Sequence, residues 1–242
     1  MKAETAARYA IYYAPSEGSA LSAFGRRWLG RDDAGTDTDR RREVPGFSRE
    51  RLCALTATAR KYGFHATLKA PFRLATTTSP EELAATVAAF ARRRAPAQAP
   101  PLRLTAIAAF LALAPRGPAP AVDRLAADCV RAFDRFRAPP SHRHAAHRRA
   151  AGLGPRQMAL LARWGYPYVM EEFRFHMTLT GAIAEPAERR AIMQRIMPLV
   201  APLERAPPRI DQICLFRQDQ PGQPLVIERR FRLAGPPAVA AT

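Results

Sequence analysis

The chain has 242 residues, of which 48% are hydrophobic, and such a chain is long and apolar enough to form one large globular domain or two small lobes. Its formal charge of +17 indicates an anionic partner such as phosphate, nucleic acid or a membrane surface. Only three of its 38 basic residues are lysines, so a compositional bias toward arginine explains part of that charge. Three scattered cysteines without a CxxC pair give no indication of a disulfide framework or a thiolate metal site.

The first elements are predicted from short apolar and capped segments. RYAIYYAP, residues 8 to 15, is aromatic and ends in a proline, which predicts a strand. Residues 19 to 29 have a helical pattern, and the charged, turn-rich residues 30 to 46 predict an exposed connection. Ser48 is the expected N-cap of the next helix.

The segment YGFHATLKAPF, residues 62 to 72, has the apolar composition of a strand. A helix follows it, because Ser79 is a suitable N-cap, Pro80 suits the first helical position and Glu82 is the acid of a capping box. The order along the chain is therefore strand, then helix.

The middle of the chain begins with PLRLTAIAAFLALAP, residues 101 to 115, which predicts one buried strand, although periodicity alone also permits a short helix. Helices are predicted over residues 121 to 137 and 155 to 163. A second strand-like segment, FRFHMTLTG, follows them and leads into EPAERRAIMQRIMPLV, which has another proline-and-acid helix start. The order of strand and helix therefore recurs.

At the end of the chain, RIDQICLFRQ and PLVIERRFRL flank DQPGQ and predict two strands joined by a proline-glycine turn. We expect one bilobal domain over residues 1 to 235 and a flexible tail at 236 to 242. No signal peptide and no run of roughly 20 apolar residues is present, so we expect a soluble, cytoplasmic protein that does not bind membranes.

The most informative feature is a repeated sequence, F-H-x-T-L, at residues 64–68 and 175–179. Each copy lies in a predicted strand that is followed by a helix. The two histidines, His65 and His176, are 111 residues apart, a spacing that suits two similar lobes facing each other across a cleft. Each lobe then contributes one histidine.

Residues i and i+2 of a strand point to the same face, so His65 is expected beside Thr67, and His176 beside Thr178. An imidazole exchanges protons near neutral pH, and a threonine hydroxyl donates a hydrogen bond to a phosphoryl oxygen. Two facing pairs would hold a phosphate between two hydroxyls with one imidazole on either side of the phosphorus. A single strand histidine is more often structural, and it is the duplication that favours catalysis.

The two motifs resemble the signature of the two-histidine phosphoesterase superfamily, a duplicated His-x-Thr/Ser-x-apolar sequence. The chain is similar to the branch of this superfamily that is encoded beside phosphonate-utilisation genes in bacteria and is described as a domain of unknown function. The similar segments are RYAIYYAP, YGFHATLKAPF, and WGYPY followed by FRFHMTLTG. The resemblance extends from about Arg8 to Leu233 and leaves out the loops at 30 to 46 and 138 to 154.

The resemblance implies an α+β fold of two related lobes, with antiparallel sheets around a central cleft and an internal pseudo-twofold repeat. The first motif would lie in a lobe around residues 48 to 115 and the second in a lobe around 155 to 233. It also implies cleavage of a cyclic phosphodiester without a metal or other cofactor. The expected substrate is a small sugar or ribose phosphate connected with phosphonate metabolism.

In the predicted mechanism one histidine acts as a general base and the other protonates the leaving oxygen, with no indication of which is which. Thr67 and Thr178 stabilise charge on the phosphoryl oxygens. Lys69 is expected on the same face as Thr67 and is a candidate phosphate contact, and Thr180 takes its place in the second copy.

Several aromatic and polar residues have two interpretations. Tyr12, Tyr166 and Tyr168 lie in the segments that carry the resemblance, and Tyr12 and Tyr168 are taken as candidate substrate-binding residues that stack on a ribose or base. Aromatic residues in strands are more often part of the core. Arg217 and Gln218, at the end of a predicted strand, either contact substrate or belong to a solvated turn.

A second group of histidines, in SHRHAAHRRA, contains His142, His144 and His147. Imidazole is a common zinc ligand, but the surrounding arginines repel a cation and no carboxylate or cysteine is near in sequence. We therefore interpret this segment as an exposed basic loop and predict no metal site.

The predicted function is a metal-independent cyclic phosphodiesterase with a small phosphorylated substrate. One alternative is an RNA 2′,3′-cyclic phosphodiesterase or RNA end-processing enzyme, which the basic charge favours. Another is a nucleic-acid-binding module without catalysis. The sequence contains no phosphate-cradling glycine-rich loop and no Rossmann fingerprint, and it does not determine the oligomeric state.

Overall fold

A computed structural model describes residues 7–38, 44–139 and 152–236. Within these ranges the chain is a mixed α+β protein with antiparallel sheets. The strands are β1 (Arg8–Tyr13), β2 (Ala66–Arg73), β3 (Ala97–Gln98), β4 (Leu102–Ile107), β5 (Phe110–Pro115), β6 (Met177–Thr178), β7 (Arg209–Ile210), β8 (Gln212–Gln218) and β9 (Val226–Arg232). The helices are α1 (Ala20–Leu29), α2 (Arg49–Arg60), α3 (Pro80–Arg92), α4 (Pro120–Phe133), α5 (Pro155–Trp164) and α6 (Pro186–Val200).

The described strands form three sheets, and the two histidine motifs enter different ones. The largest sheet has the order β2-β1-β8-β9, a second has the order β4-β5-β6, and β3 pairs with β7. The first motif runs into β2 of the four-stranded sheet, and the second runs into β6 of the three-stranded sheet.

These sheets do not follow the predicted lobe ranges along the chain. The strands β8 and β9 come from the end of the chain but pair beside β1, and β6 pairs with β5 from the first half. Each sheet is therefore completed by strands from both halves of the sequence.

The helix α1 contacts both motifs. Gly25 packs against the side chain of Phe64, where a Cβ atom on residue 25 would lie only 2.1 Å from the Phe64 ring. One turn further on, the Trp28 indole donates a hydrogen bond of 2.7 Å to the carbonyl of Leu179. The largest apolar cluster of the described residues includes Phe64, Leu68 and Phe175. The two motifs are thus fixed to one shared core.

The capping predictions are confirmed. The side chains of Ser48 and Ser79 accept hydrogen bonds from backbone N–H groups at the starts of α2 and α3. Ser19, which was not predicted as a cap, does the same for α1. The Glu82 carboxylate also accepts a bond from the Ser79 N–H, which completes the capping box. The predicted pair of strands around DQPGQ forms β8 and β9.

The prediction of one strand over residues 101 to 115 was wrong. The segment is a hairpin, in which β4 and β5 pair through the register Ile107↔Phe110. The tight turn contains Ala108 with a φ of 48°, a conformation that usually requires glycine, asparagine or aspartate. Because the turn consists of alanines, the sequence contains no signal for it.

Two other predictions differ in extent. The second motif forms only the two-residue strand β6, with His176 immediately before it. The connection at 30 to 46, expected to be exposed, contains Arg31, which is buried. None of the helices in the described ranges is long and apolar enough to cross a membrane.

Candidate active site

The two motifs share one burial pattern. Phe64, Ala66 and Leu68 are buried in the first motif, and Phe175, Met177 and Leu179 occupy the same positions in the second. The histidine and threonine of each copy lie between these residues and are only half-buried. This alternation is the one that the sequence predicted, and it turns the polar pair of each motif away from the core.

His65 is held in one orientation by two hydrogen bonds. Its Nδ1 lies 2.9 Å from the Gly63 carbonyl oxygen, and its Nε2 lies 3.2 Å from the Thr67 hydroxyl. Because a carbonyl only accepts, Nδ1 carries the proton, and the Nε2 of the neutral ring accepts a bond from Thr67. Gly63 has a φ of 76°, so the turn that presents its carbonyl favours glycine.

His176 is oriented in the same way. Its Nδ1 donates to the carbonyl of Arg174, 2.8 Å away, and this partner also lies two residues before the histidine. The ring of Phe110 lies 5.7 Å from the imidazole, centroid to centroid. Among the described residues the Thr178 hydroxyl has no hydrogen-bond partner. Both imidazoles therefore leave Nε2 without a proton when the ring is neutral, and in the first motif this nitrogen lies beside the threonine hydroxyl.

Tyr12 lies against the first histidine. Its ring stacks on the His65 imidazole with a centroid separation of 3.9 Å and an interplanar angle of 17°. Burial raises the pKa of Tyr12, and the neighbouring Thr67 hydroxyl is one of the effects that oppose this shift.

Other aromatic residues around His65 were not identified from the sequence. The rings of Tyr62 and Phe216 lie 6.2 Å and 6.1 Å from the imidazole. Tyr62 belongs to the motif segment itself, three residues before the histidine, so its position was a usable signal. Phe216 comes from β8 and could be found only from the register of the sheet.

Burial lowers the pKa of His65 to about 4, although the hydrogen bond to Gly63 opposes this effect. The positive charges of His176 and Arg31 lower the pKa further. The pKa of His176 is also lowered by burial, and its bond to Arg174 opposes the shift. The two histidines thus interact electrostatically, and His65 is neutral at neutral pH.

Arg31 is a buried cation behind this site. Its guanidinium donates to the carbonyl oxygens of Arg60 and Leu225, each at 2.7 Å, and more weakly to that of Asp32. Burial lowers the pKa of Arg31, and the carboxylates of Asp32 and Asp33 oppose this effect. The cation therefore contributes a fixed positive potential near His65.

Lys69 was predicted to contact phosphate. In the structure its amine is bonded to other groups of the protein. Lys69 is buried, and its Nζ lies 3.2 Å from the Asp134 carboxylate and 3.3 Å from the Val130 carbonyl. The register between β1 and β2 shifts next to Lys69, which breaks the simple alternation from Thr67. At the matching position Thr180 is also buried, and its hydroxyl accepts the Leu111 N–H.

The remaining candidates lie in different surroundings. Tyr168 is 47% exposed and its ring packs edge-on against Tyr166. Tyr166 is half-buried. Arg217 pairs with Asp219, while Gln218 is buried and bonded to Arg8.

Within the described ranges no group of three or more histidine, cysteine, aspartate or glutamate side chains is arranged to hold a metal ion. His142, His144 and His147 lie outside the described residues, as does most of the predicted tail.

Comparison with known proteins gives a family for this chain. The family described as "Protein of unknown function (DUF1045)" matches residues 67–226. The chain belongs to the DUF1045 family. The matched region starts at Thr67 and contains the whole second motif, including His176 and Thr178.

Two curated relatives carry the same name, "Ribose 1,5-bisphosphate phosphokinase PhnN". The protein of Janthinobacterium sp. (strain Marseille) is 40% identical over 241 residues, which cover 97% of this chain and 52% of the relative. The protein of Laribacter hongkongensis (strain HLHK9) is 38% identical over 179 residues, which cover 74% of this chain and 41% of the relative. The chain thus spans about half the length of the curated relatives it matches.

Proposed function

We propose that this protein is a metal-independent phosphoesterase that hydrolyses a cyclic phosphodiester of a small sugar or ribose phosphate. The observation that carries the proposal is the matching geometry of the two motifs. In each, Nδ1 of the histidine donates to the carbonyl two residues earlier, which leaves Nε2 as the reactive nitrogen, and a half-buried threonine follows two residues later. Two equivalent groups of this kind supply the base and the acid that displacement at phosphorus requires.

The two lobes of the proposed enzyme correspond to the two larger sheets, with the cyclic phosphate bound between them. The positive charge of His176 is one of the smaller effects that lower the pKa of His65, which is consistent with this arrangement. The contacts of α1 with both motifs support it as well, since Gly25 and Trp28 hold Phe64 and Leu179 on one rigid helix.

In the proposed reaction His65 is the general base. Its pKa of about 4 keeps Nε2 unprotonated at neutral pH, and it removes a proton from water as the water oxygen attacks phosphorus. The bond from phosphorus to one ring oxygen breaks, and protonated His176 gives its proton to that oxygen. With the substrate bound, the Thr67 hydroxyl turns from Nε2 of His65 to the phosphate, which frees this nitrogen for the attacking water. Thr67 and Thr178 then donate to the non-bridging oxygens, where negative charge accumulates.

The substrate class is proposed from the relatives and from the resemblance to the phosphonate-associated branch. The relatives are named for a ribose with phosphates at C1 and C5. We do not propose their named kinase activity for this chain, because the sequence of this chain has no GxxxxGK[ST] loop to hold a nucleoside triphosphate. We propose instead that it acts on a cyclic ribose phosphate in phosphonate metabolism.

A second candidate is hydrolysis of 2′,3′-cyclic phosphate ends on RNA, which the formal charge of +17 favours. Binding of RNA through many arginines weakens steeply with salt, whereas a small substrate neutralises few charges. The dependence of KM on salt, measured for a ribo-oligonucleotide and for a ribose cyclic phosphate, separates the two candidates.

The direct test follows the hydrolysis of a panel of ribose cyclic phosphates and nucleoside cyclic phosphates by ³¹P NMR, with EDTA present throughout. We expect the unmodified protein to open at least one of them. His65→Ala and His176→Ala should each abolish this activity, and His144→Ala, which lies outside the motifs, should keep it. Loss of activity on chelation, or normal activity in either motif variant, would contradict the proposal.

A further inference from the structure

The three-stranded sheet β4-β5-β6 has one face packed against a helix. Residues directly opposite one another in a sheet point to the same face, and so do residues two apart along a strand. Leu104 and Leu113 lie opposite each other and belong to the largest apolar cluster, together with Ile196 of α6. The helix α6 therefore covers this face of the sheet.

The other face of the sheet carries the polar residues of the second motif. Thr178 lies opposite Ala112 of β5, and Arg103 of β4 lies opposite Ala114. Because Ala112 and Ala114 are two residues apart, Arg103 and Thr178 point to one face. His176 belongs to the same face, since buried and half-buried residues alternate regularly through the motif.

This second face is not filled by the apolar core. None of the apolar clusters in the described part of the chain includes a residue of this face, although Ile107 and Phe110 lie on it. Arg103 is exposed, and Ala114 is half-buried. The sheet surface between β4 and β6 is therefore accessible to a ligand.

The surroundings of His176 leave one direction for a bound molecule to extend across this face. On the side of the motif threonine Ala112 is buried, and the ring of Phe110 lies 5.7 Å from the His176 imidazole. On the other side the face continues over Ala114 to Arg103. A ligand with one end at the histidine can therefore place its other end at Arg103.

The spacing of the strands suits a small ligand. The register of β5 and β6, continued by one residue, places His176 opposite Ala114, so that His176, Ala114 and Arg103 form one row. Neighbouring strands are about 4.8 Å apart, so the Cα atoms at the two ends of this row are separated by about 10 Å. The methyl group of Ala114 leaves room between them.

The guanidinium of Arg103 is available for a ligand. Within the described ranges its side chain forms no hydrogen bond and no ion pair. The carboxylate of Glu204 contacts the same strand, but it accepts the Leu104 N–H and pairs with Arg116. Arginine presents its N–H groups as a planar fork that fits two oxygens of one phosphate.

We propose that Arg103 binds a phosphate monoester of the substrate while the cyclic phosphate lies at His176 and Thr178. The substrate is then a sugar cyclic phosphate with a second, terminal phosphate. This inference rests on the proposed function for the position of the cyclic group. Arg103 is a binding residue that selects the doubly phosphorylated sugar.

The test compares two substrates, ribose 1,2-cyclic phosphate with and without a phosphate ester on C5. We expect Arg103→Met to lower kcat/KM for the phosphorylated form roughly 10- to 100-fold, mainly through KM, because charge-assisted hydrogen bonds to the phosphate are lost. The same variant should leave the form with a free C5 hydroxyl within about twofold. Arg103→Lys should restore part of the binding, because it keeps the charge and loses the fork.

The matched control is Arg232→Met. Arg232 is also an exposed strand arginine without an ion pair among the described residues, but it lies on β9 of the four-stranded sheet. Its loss removes the same charge from the chain and should change neither substrate by more than about twofold. Equal losses on both substrates in Arg103→Met, no loss on either, or the same loss in Arg232→Met would overturn the subsite.

A binding measurement distinguishes the subsite from the proposed hydrolysis. If the unmodified protein hydrolyses neither cyclic phosphate, the proposed function fails, and calorimetry with ribose 1,5-bisphosphate and ribose 1-phosphate decides the subsite. Tighter binding of the bisphosphate that is lost in Arg103→Met supports it. Equal binding of the two ligands, binding of neither, or a preference that persists in Arg103→Met overturns it.

Discussion

The imidazole of His65 and the phenol of Tyr12 lie face to face, with their ring centroids 3.9 Å apart. The stack fixes the plane of the imidazole, whose Nε2 lies 3.2 Å from the Thr67 hydroxyl. A tyrosine that could have been an ordinary core residue therefore orients the histidine of the first motif.

Tyr12→Leu removes the stack on His65 and should lower kcat about 2- to 13-fold with little change in KM, because the imidazole loses the contact that fixes its plane. Tyr12→Phe keeps the stack and should stay close to the unmodified protein. The neighbouring substitution Tyr13→Leu alters a tyrosine on the other face of β1 and should leave kcat unchanged. Equal rates in Tyr12→Leu and the unmodified protein would show that the stack does not contribute to catalysis.

The pH dependence of kcat/KM follows from the two histidines. If His65 must be neutral, kcat/KM rises with pH through its pKa of about 4. If His176 must be protonated, kcat/KM falls again above its own pKa, which burial places below the ordinary value of 6.5. We expect a bell-shaped profile on the acidic side of neutrality, and His176→Ala should abolish the reaction at every pH. A profile that is flat from pH 4 to 8 would contradict these roles.

Arg31→Met removes the buried cation behind the site. Its two close carbonyl partners, on Arg60 and Leu225, would lose their donor, at a cost of about 1–3 kcal/mol for each group left unpaired. Loss of the positive charge should also raise the pKa of His65, which an NMR titration of its C2 proton would show. The control is Arg116→Met, because Arg116 forms an exposed pair with Glu204 and such pairs contribute little.

The contact between α1 and the first motif is tested by Gly25→Ala. Alanine normally stabilises a helix by up to about 1 kcal/mol relative to glycine, but a Cβ at this position would overlap the Phe64 ring. We expect a net loss of about 1–3 kcal/mol in the free energy of unfolding, measured with urea. Gly117→Ala, which has open space around it, should change little. A more stable Gly25→Ala variant would show that the packing is loose.

Much of the secondary structure was predictable because its signals are local. At the starts of α1, α2 and α3 a serine hydroxyl lies next to the N–H groups that need an acceptor, and these serines are Ser19, Ser48 and Ser79. A capping side chain acts within three residues, so its signal is local. The polar pairs of the motifs were predictable for a similar reason, since the alternation of a strand is a property of neighbouring residues.

The rest depends on contacts between distant parts of the chain. The sequence suggested Lys69 as a phosphate contact, but its partner Asp134 is 65 residues away and is brought to it by α4. Arg31 lies in a charged segment that is typical of an exposed loop, and it is buried because the ends of α2 and β9 supply carbonyl acceptors. Strand register and tertiary packing determine the partners of such residues, and the local composition does not predict them.

We propose that the two motifs form one phosphate-binding site. The decisive measurement is a titration of the protein with inorganic phosphate, followed by NMR through the C2 protons of His65 and His176. Both signals should move together and give one dissociation constant, and binding should be lost in Thr67→Val and in Thr178→Val. Movement of only one histidine signal, or two signals with different dissociation constants, would contradict it.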